Sequence, residues 1–155
     1  MKLAPIIIFA FNRLEPLQNT IKSLLKNKEA KDSDIYFFVD GPRQKKKKKK
    51  EKVENVRNYI RQIDGFKNVH FSFSDTNQGL GKSIIKGVTE IINKYNNAII
   101  LEDDLIFSSN FLSFMNQQLY NYEKNTNVFS ICGYTNEIVI PKDYFYDSYF
   151  CTRSS

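Results

Sequence analysis

The sequence predicts an α/β domain in which a mostly parallel sheet is flanked by helices on both faces. Short apolar runs rich in Ile, Val and Phe alternate along the chain with longer segments of helical period, the pattern that repeated β-α-β units leave. The connections between those runs are far too long for hairpin turns, so successive strands are expected to run parallel.

Taken in order, the apolar runs 5–11, 34–39, 69–74, 98–101 and 128–132 are expected to be strands, each near-continuously apolar as strands covered on both faces should be. After the first, Pro16 suits the opening turn of a helix, and Leu17, Ile21, Leu24 and Leu25 share one face. A second helix grows out of a lysine run and carries Val53, Val56, Ile60 and Ile63, with Gly65 placed to end it as a left-handed cap. The third starts near Gly79 and bears Ile84, Ile85, Val88, Ile91 and Ile92. A fourth, capped by Ser108 or Ser109, turns Phe111, Leu112, Met115 and Leu119 inward. The tail 143–155 shows no clear period.

At 155 residues the chain fits one domain, and 41% hydrophobic with 14% aromatic content is a globular composition. The net charge of +6 is matched in number by the six lysines of 45–50, so the remainder is balanced. Such a run reads first as a solvated face, with an anionic membrane or nucleic-acid patch as the alternative. No aromatics are interleaved with it to stack bases, so no nucleic-acid partner is expected. Two cysteines, Cys132 and Cys151, make neither a disulfide framework nor a metal site, and a reducing cytoplasm is expected. The first apolar run is too short for a signal segment and no stretch has membrane-spanning length, leaving membrane association at most peripheral.

In such a sheet, ligands bind beyond the carboxyl ends of the strands. The residues there are Phe11-Asn12-Arg13, Asp40-Gly41-Pro42-Arg43, the stretch from Asp75 to Gly79, and Glu102-Asp103-Asp104. Three adjacent carboxylates repel one another unless a cation or hydrogen-bond donors offset the charge. Oxygen ligands of this kind suit Mg²⁺ or Mn²⁺ bound together with substrate phosphates, while the plainer reading has the acids favouring the start of the next helix. Asp40 stands where a nucleotide-binding sheet places an acid on the ribose, or it simply forms a turn with Gly41. Gly79-Leu80-Gly81-Lys82-Ser83 is not a complete phosphate loop, because Thr76 stands where its first glycine belongs. What survives is Lys82 near a helix N-terminus, able to face a diphosphate. No dinucleotide fingerprint follows the first run, which argues against NAD. His70 and Cys132 read as structural.

The succession 6–13, then Val39-Asp40-Gly41, then Asn77-Gln78-Gly79-Leu80-Gly81, then 100–105 resembles the family-2-like glycosyltransferases of the Rossmann-like GT-A fold. Within these it is most similar to the branch related to N-acetylglucosaminyltransferase I, whose metal motif is also Glu-Asp-Asp. The resemblance implies transfer of a sugar, with inversion, from a UDP- or GDP-linked donor to a hydroxyl of a saccharide or lipid-linked acceptor, in surface polysaccharide synthesis. It implies that Phe11, Asn12, Arg13 and Asp40 line the base and ribose and that Asp103 holds the ribose or donor sugar. Asp104 would ligate Mn²⁺ or Mg²⁺, Glu102 would support that loop, and Lys82 would lie near the diphosphate.

The resemblance also places the general base in an acceptor-binding half beyond Ser155, so residues 1–155 are expected to be one nucleotide-sugar-binding domain, truncated from a longer enzyme. A fragment that binds donor without transferring it is the competing reading. A nucleotidyltransferase is the nearest other class, but Phe11-Asn12-Arg13 stands where its glycine-rich loop would follow the first strand.

Overall fold

The computed structural model describes residues 2–42, 47–134, 139, 141–146 and 148–149. Arg43, Lys45, Lys46 and the segment from Cys151 to Ser155, all named above, lie outside the described residues. Strands β1 (Ile6–Ala10), β2 (Asp34–Val39), β3 (Asn68–Phe73) and β4 (Ile99–Glu102) form one sheet in the order β3-β2-β1-β4, every pair parallel. Between and after them come α1 (Leu14–Leu24), α2 (Lys47–Ile60), α3 (Leu80–Tyr95) and α4 (Phe111–Tyr122). This is a Rossmann-like α/β fold.

Strand alternation sorts the core into two layers. Ile6, Ile8, Phe37 and Leu101 face α1, α2 and α4, whereas Ile7, Phe9, Tyr36 and Phe38 face α3. The chain steps outward from β1 to β2 to β3 under α1 and α2, then crosses back to β4 with α3 on the opposite face, so each crossover keeps the usual right hand. That reversal of strand order makes the β1–β4 boundary the topological switch point, and it is beyond the strand tips there that such sheets bind ligands.

Four of the five expected strands are present. The fifth, 128–132, is not a strand: among the described residues Val128 N–H bonds to the Asn125 carbonyl at 3.1 Å, Phe129 is fully exposed, and Ile131 alone of the run packs on the core. An apolar run becomes a strand only where a ladder partner meets it, and among the described residues none does. Gly65 has the expected left-handed φ of 83°, but α2 has already ended at Ile60, and the turn serves instead to aim the chain into β3. Neither Ser108 nor Ser109 caps α4; its N-cap is Asn110 and makes no side-chain cap bond. Coverage of the sheet is also less complete than expected, since Ile100 on β4 and Phe71 on β3 are each about half exposed. No helix among the described residues is long and apolar enough to cross a membrane.

Candidate functional site

Arg13 ends the short turn after β1 and stands as the N-cap of α1, in an extended conformation that leaves its side chain free of any capping role. The guanidinium instead reaches across the switch point to β4. Its Nη2 pairs with Asp103 Oδ1 and its Nη1 with Asp104 Oδ2 at 2.8 Å, so one fork spans two consecutive carboxylates. Asp103 is buried, at 3% exposure, and the Phe11 backbone also supplies it a hydrogen bond. Burial pushes its carboxyl above the ordinary value, and the Arg13 guanidinium pulls against that shift. Asp104 is more open, with a side chain 41% exposed. Glu102 ends β4 opposite Phe9, is exposed, and forms no ion pair among the described residues.

One strand away, the Asp40 backbone N–H still bonds to the Ala10 carbonyl at 3.2 Å, which holds Asp40 at the same tip. Its side chain is fully engaged. Oδ1 accepts from the N–H groups of Gly41 and Gln78 at 2.8 and 2.7 Å, and Oδ2 accepts from Asn77 Nδ2 and Gly79 N–H at 2.8 and 2.9 Å. A carboxylate offers about four lone-pair sites, so Asp40 acts directly on the loop 77–79, fixing the path by which the chain enters α3. Gly41 permits that approach: a Cβ there would lie 2.4 to 2.5 Å from the Thr76 backbone.

Lys82 lies in the first turn of α3 and is exposed. It lines a cavity of about 390 Å³ on the α3 face together with Phe38, Ser74, Gln78 and Lys86. The structure therefore brings Arg13, Asp103, Asp104 and Phe11 into one cluster and Asp40 beside it, while among the described residues Lys82 connects to them through the Gln78 segment that Asp40 holds. Phe11 and Asn12 are half-buried at the tip.

Three residues unmarked by the sequence reading position the acidic loop. Thr20, Ser23 and Asn27 form a buried polar stripe along and just past α1. Thr20 Oγ1 donates to the Leu105 carbonyl at 2.9 Å and accepts from the Leu105 N–H at 3.1 Å, while Ser23 Oγ accepts from Phe107 N–H at 3.1 Å. Asn27 then donates to the Ser108 carbonyl and accepts from Leu112 N–H, at 3.0 and 2.9 Å. The available signal was two polar residues, Thr20 and Ser23, lying between the apolar positions Leu17, Ile21 and Leu24 of an otherwise amphipathic helix, with Asn27 following just past its end.

Among the described residues, no group of three or more His, Cys, Asp or Glu converges to cage a metal. Two neighbouring carboxylates, one exposed, do fit a hard cation of the Mg²⁺ or Mn²⁺ type, which takes one or two protein carboxylates and completes its shell with water and substrate phosphates. The model for the family described as Glycosyl transferase family 2 matches residues 6–143, from the first residue of β1 to well past α4. No curated protein matches the chain.

Proposed function

The chain belongs to glycosyl transferase family 2, and we propose that its sheet tip holds a UDP- or GDP-linked sugar whose sugar passes, with inversion, to a hydroxyl of a saccharide or lipid-linked acceptor. The observation that carries this reading is the convergence, at the switch point of a parallel sheet, of a forked cation from β1 with two carboxylates from β4. A nucleoside diphosphate needs cationic partners for its phosphates and a polar rim for its ribose, and the tip offers both kinds of group.

On this reading Phe11, Asn12 and Arg13 line the nucleotide, Asp40 shapes its pocket by fixing the 77–79 loop, and Asp103 faces the ribose or donor sugar. Lys82 meets the diphosphate or the sugar from the α3 side. Asp104, supported by Glu102, would hold Mn²⁺ or Mg²⁺, which when bound stabilises negative charge on the departing diphosphate. The acceptor's proton needs a separate general base, which we assign to an acceptor-binding part of a longer enzyme. The Glu-Asp-Asp order favours the branch similar to N-acetylglucosaminyltransferase I, acting in surface polysaccharide synthesis.

Calorimetry with UDP and GDP, each with and without Mn²⁺, tests the proposal. One nucleotide should bind in a Mn²⁺-dependent way, and Asp104→Asn should weaken that binding by roughly 10- to 100-fold, the range seen when groups ordering a metal site are lost. If neither nucleotide binds under any of these conditions, the proposal is wrong.

A further inference from the structure

We infer that Arg13 is an internal counter-ion with which a divalent cation has to compete for the carboxylates, so that cation and nucleoside diphosphate bind this tip cooperatively and each alone binds poorly. The inference rests on the proposed function and adds to it the order and coupling of ligand binding.

Arg13 holds both carboxylates at once, so a cation arriving on Asp104 either takes Oδ2 away from Nη1 or binds at Oδ1 directly beside the guanidinium, and in both places it competes with Arg13 for the same negative charge. The two sides of this contact differ in freedom. Asp103 is buried, and its loop is pinned immediately downstream by the bonds of Leu105 to Thr20 and of Phe107 to Ser23. The Arg13 side chain is 49% exposed and bonds to no other carboxylate among the described residues. The guanidinium is therefore the side that yields.

If a cation came alone, it would place a divalent charge beside the Arg13 guanidinium, an arrangement of like charges that opposes binding. A nucleoside diphosphate removes that penalty in two ways. Its phosphates offer the freed fork a bidentate anionic partner, and its oxygens complete the shell of the cation. Each ligand thus raises the affinity for the other, by the same factor in both directions.

The test measures Mn²⁺ binding to the whole chain by the loss of the free-ion electron paramagnetic resonance signal, with and without UDP and GDP. Wild-type protein should bind Mn²⁺ weakly alone and at least about fivefold more tightly with the nucleotide, within the usual range of coupling. Arg13→Gln should bind Mn²⁺ alone about tenfold more tightly than wild type, and the nucleotide's enhancement should shrink by a similar factor. A merely structural role for Arg13 would weaken the metal site instead. Arg13→Lys, which keeps the charge but cannot span two carboxylates, should fall between the two and carries the test should Arg13→Gln fail to fold. If wild type binds Mn²⁺ with nucleotide while neither variant gains affinity for Mn²⁺ alone, the counter-ion role is overturned and the proposed function stands. If wild type binds no Mn²⁺ with either nucleotide, both fall together.

Discussion

At residue 27 a single side chain joins the end of α1 to the start of α4. Asn27 is 2% exposed, its Oδ1 accepts the Leu112 N–H, and its amide donates to the Ser108 carbonyl. The first N–H groups of a helix have no partner within it, so the side chain caps α4 across 85 positions of sequence. Its removal leaves the buried Leu112 N–H unmatched, which costs about 1–3 kcal/mol, whereas the Ser108 carbonyl still accepts from the Phe111 N–H at 3.3 Å. Asn27→Ala should therefore lower unfolding stability by about 1–3 kcal/mol in urea denaturation, and Asn27→Asp, which keeps the acceptor, should lose less. A loss below about 0.5 kcal/mol for Asn27→Ala, the scatter of neutral surface changes, would show that α4 takes its cap elsewhere. The same side chain explains why the cap was illegible in sequence. Ser108 and Ser109 sit where a local cap belongs, but Ser108 Oγ donates to Asn110 Oδ1 at 2.7 Å, and nothing local marks a partner in another helix.

Among the described elements, α3 is the one helix packed on its face of the sheet, and it sits close. A Cβ added at Gly87 would lie 2.9 Å from both Phe38 Cδ2 and Phe9 Cε1, and those rings are buried and stacked with centroids 5.6 Å apart. Gly87→Ala has two opposed consequences. Helix propensity favours Ala by up to about 1 kcal/mol, whereas overpacking a filled core costs about 1–3 kcal/mol. Two interlocked rings have little room to give, so the second should win and Gly87→Ala should be less stable than wild type by about 1 kcal/mol in chemical denaturation. A variant more stable than wild type would reveal slack between α3 and the sheet. The four strands were legible because each is a short apolar run ending in polar residues, and those polar residues are the ones the sheet gathers at its tip. The run 128–132 carries the same local signal without a pairing partner among the described residues, and composition does not record partners. The pairing of Arg13 with Asp103 and Asp104 was hidden for a related reason, because strand order, not sequence distance, makes β1 and β4 neighbours. Asp40 was legible as a residue of the tip, but its four hydrogen bonds to its own loop and to 77–79 were not.

Across the whole molecule, the proposed site draws on the ends of all four strands: Arg13 after β1, Asp40 after β2, the 77–79 loop after β3, and Asp103 with Asp104 after β4. No contiguous stretch contains it. A partly unfolded chain that lost any one of these pairings would lose part of the site, so the ligands should bind the fully assembled sheet and stabilise it as a unit. At a ligand concentration of about 100 times Kd, binding confined to the native state adds about 2.7 kcal/mol. For a domain of this size each kcal/mol moves the midpoint by about 2–4 °C, so Mn²⁺ and the bound nucleotide together should raise Tm by about 5–10 °C at that ratio. Mn²⁺ alone should raise it far less, because Arg13 already occupies the carboxylates. The measurement is a thermal melt followed by circular dichroism at fixed protein concentration. A midpoint that does not move with both ligands at saturation would mean that they bind a local segment, or a partly unfolded state equally well, and not the tip of the assembled sheet.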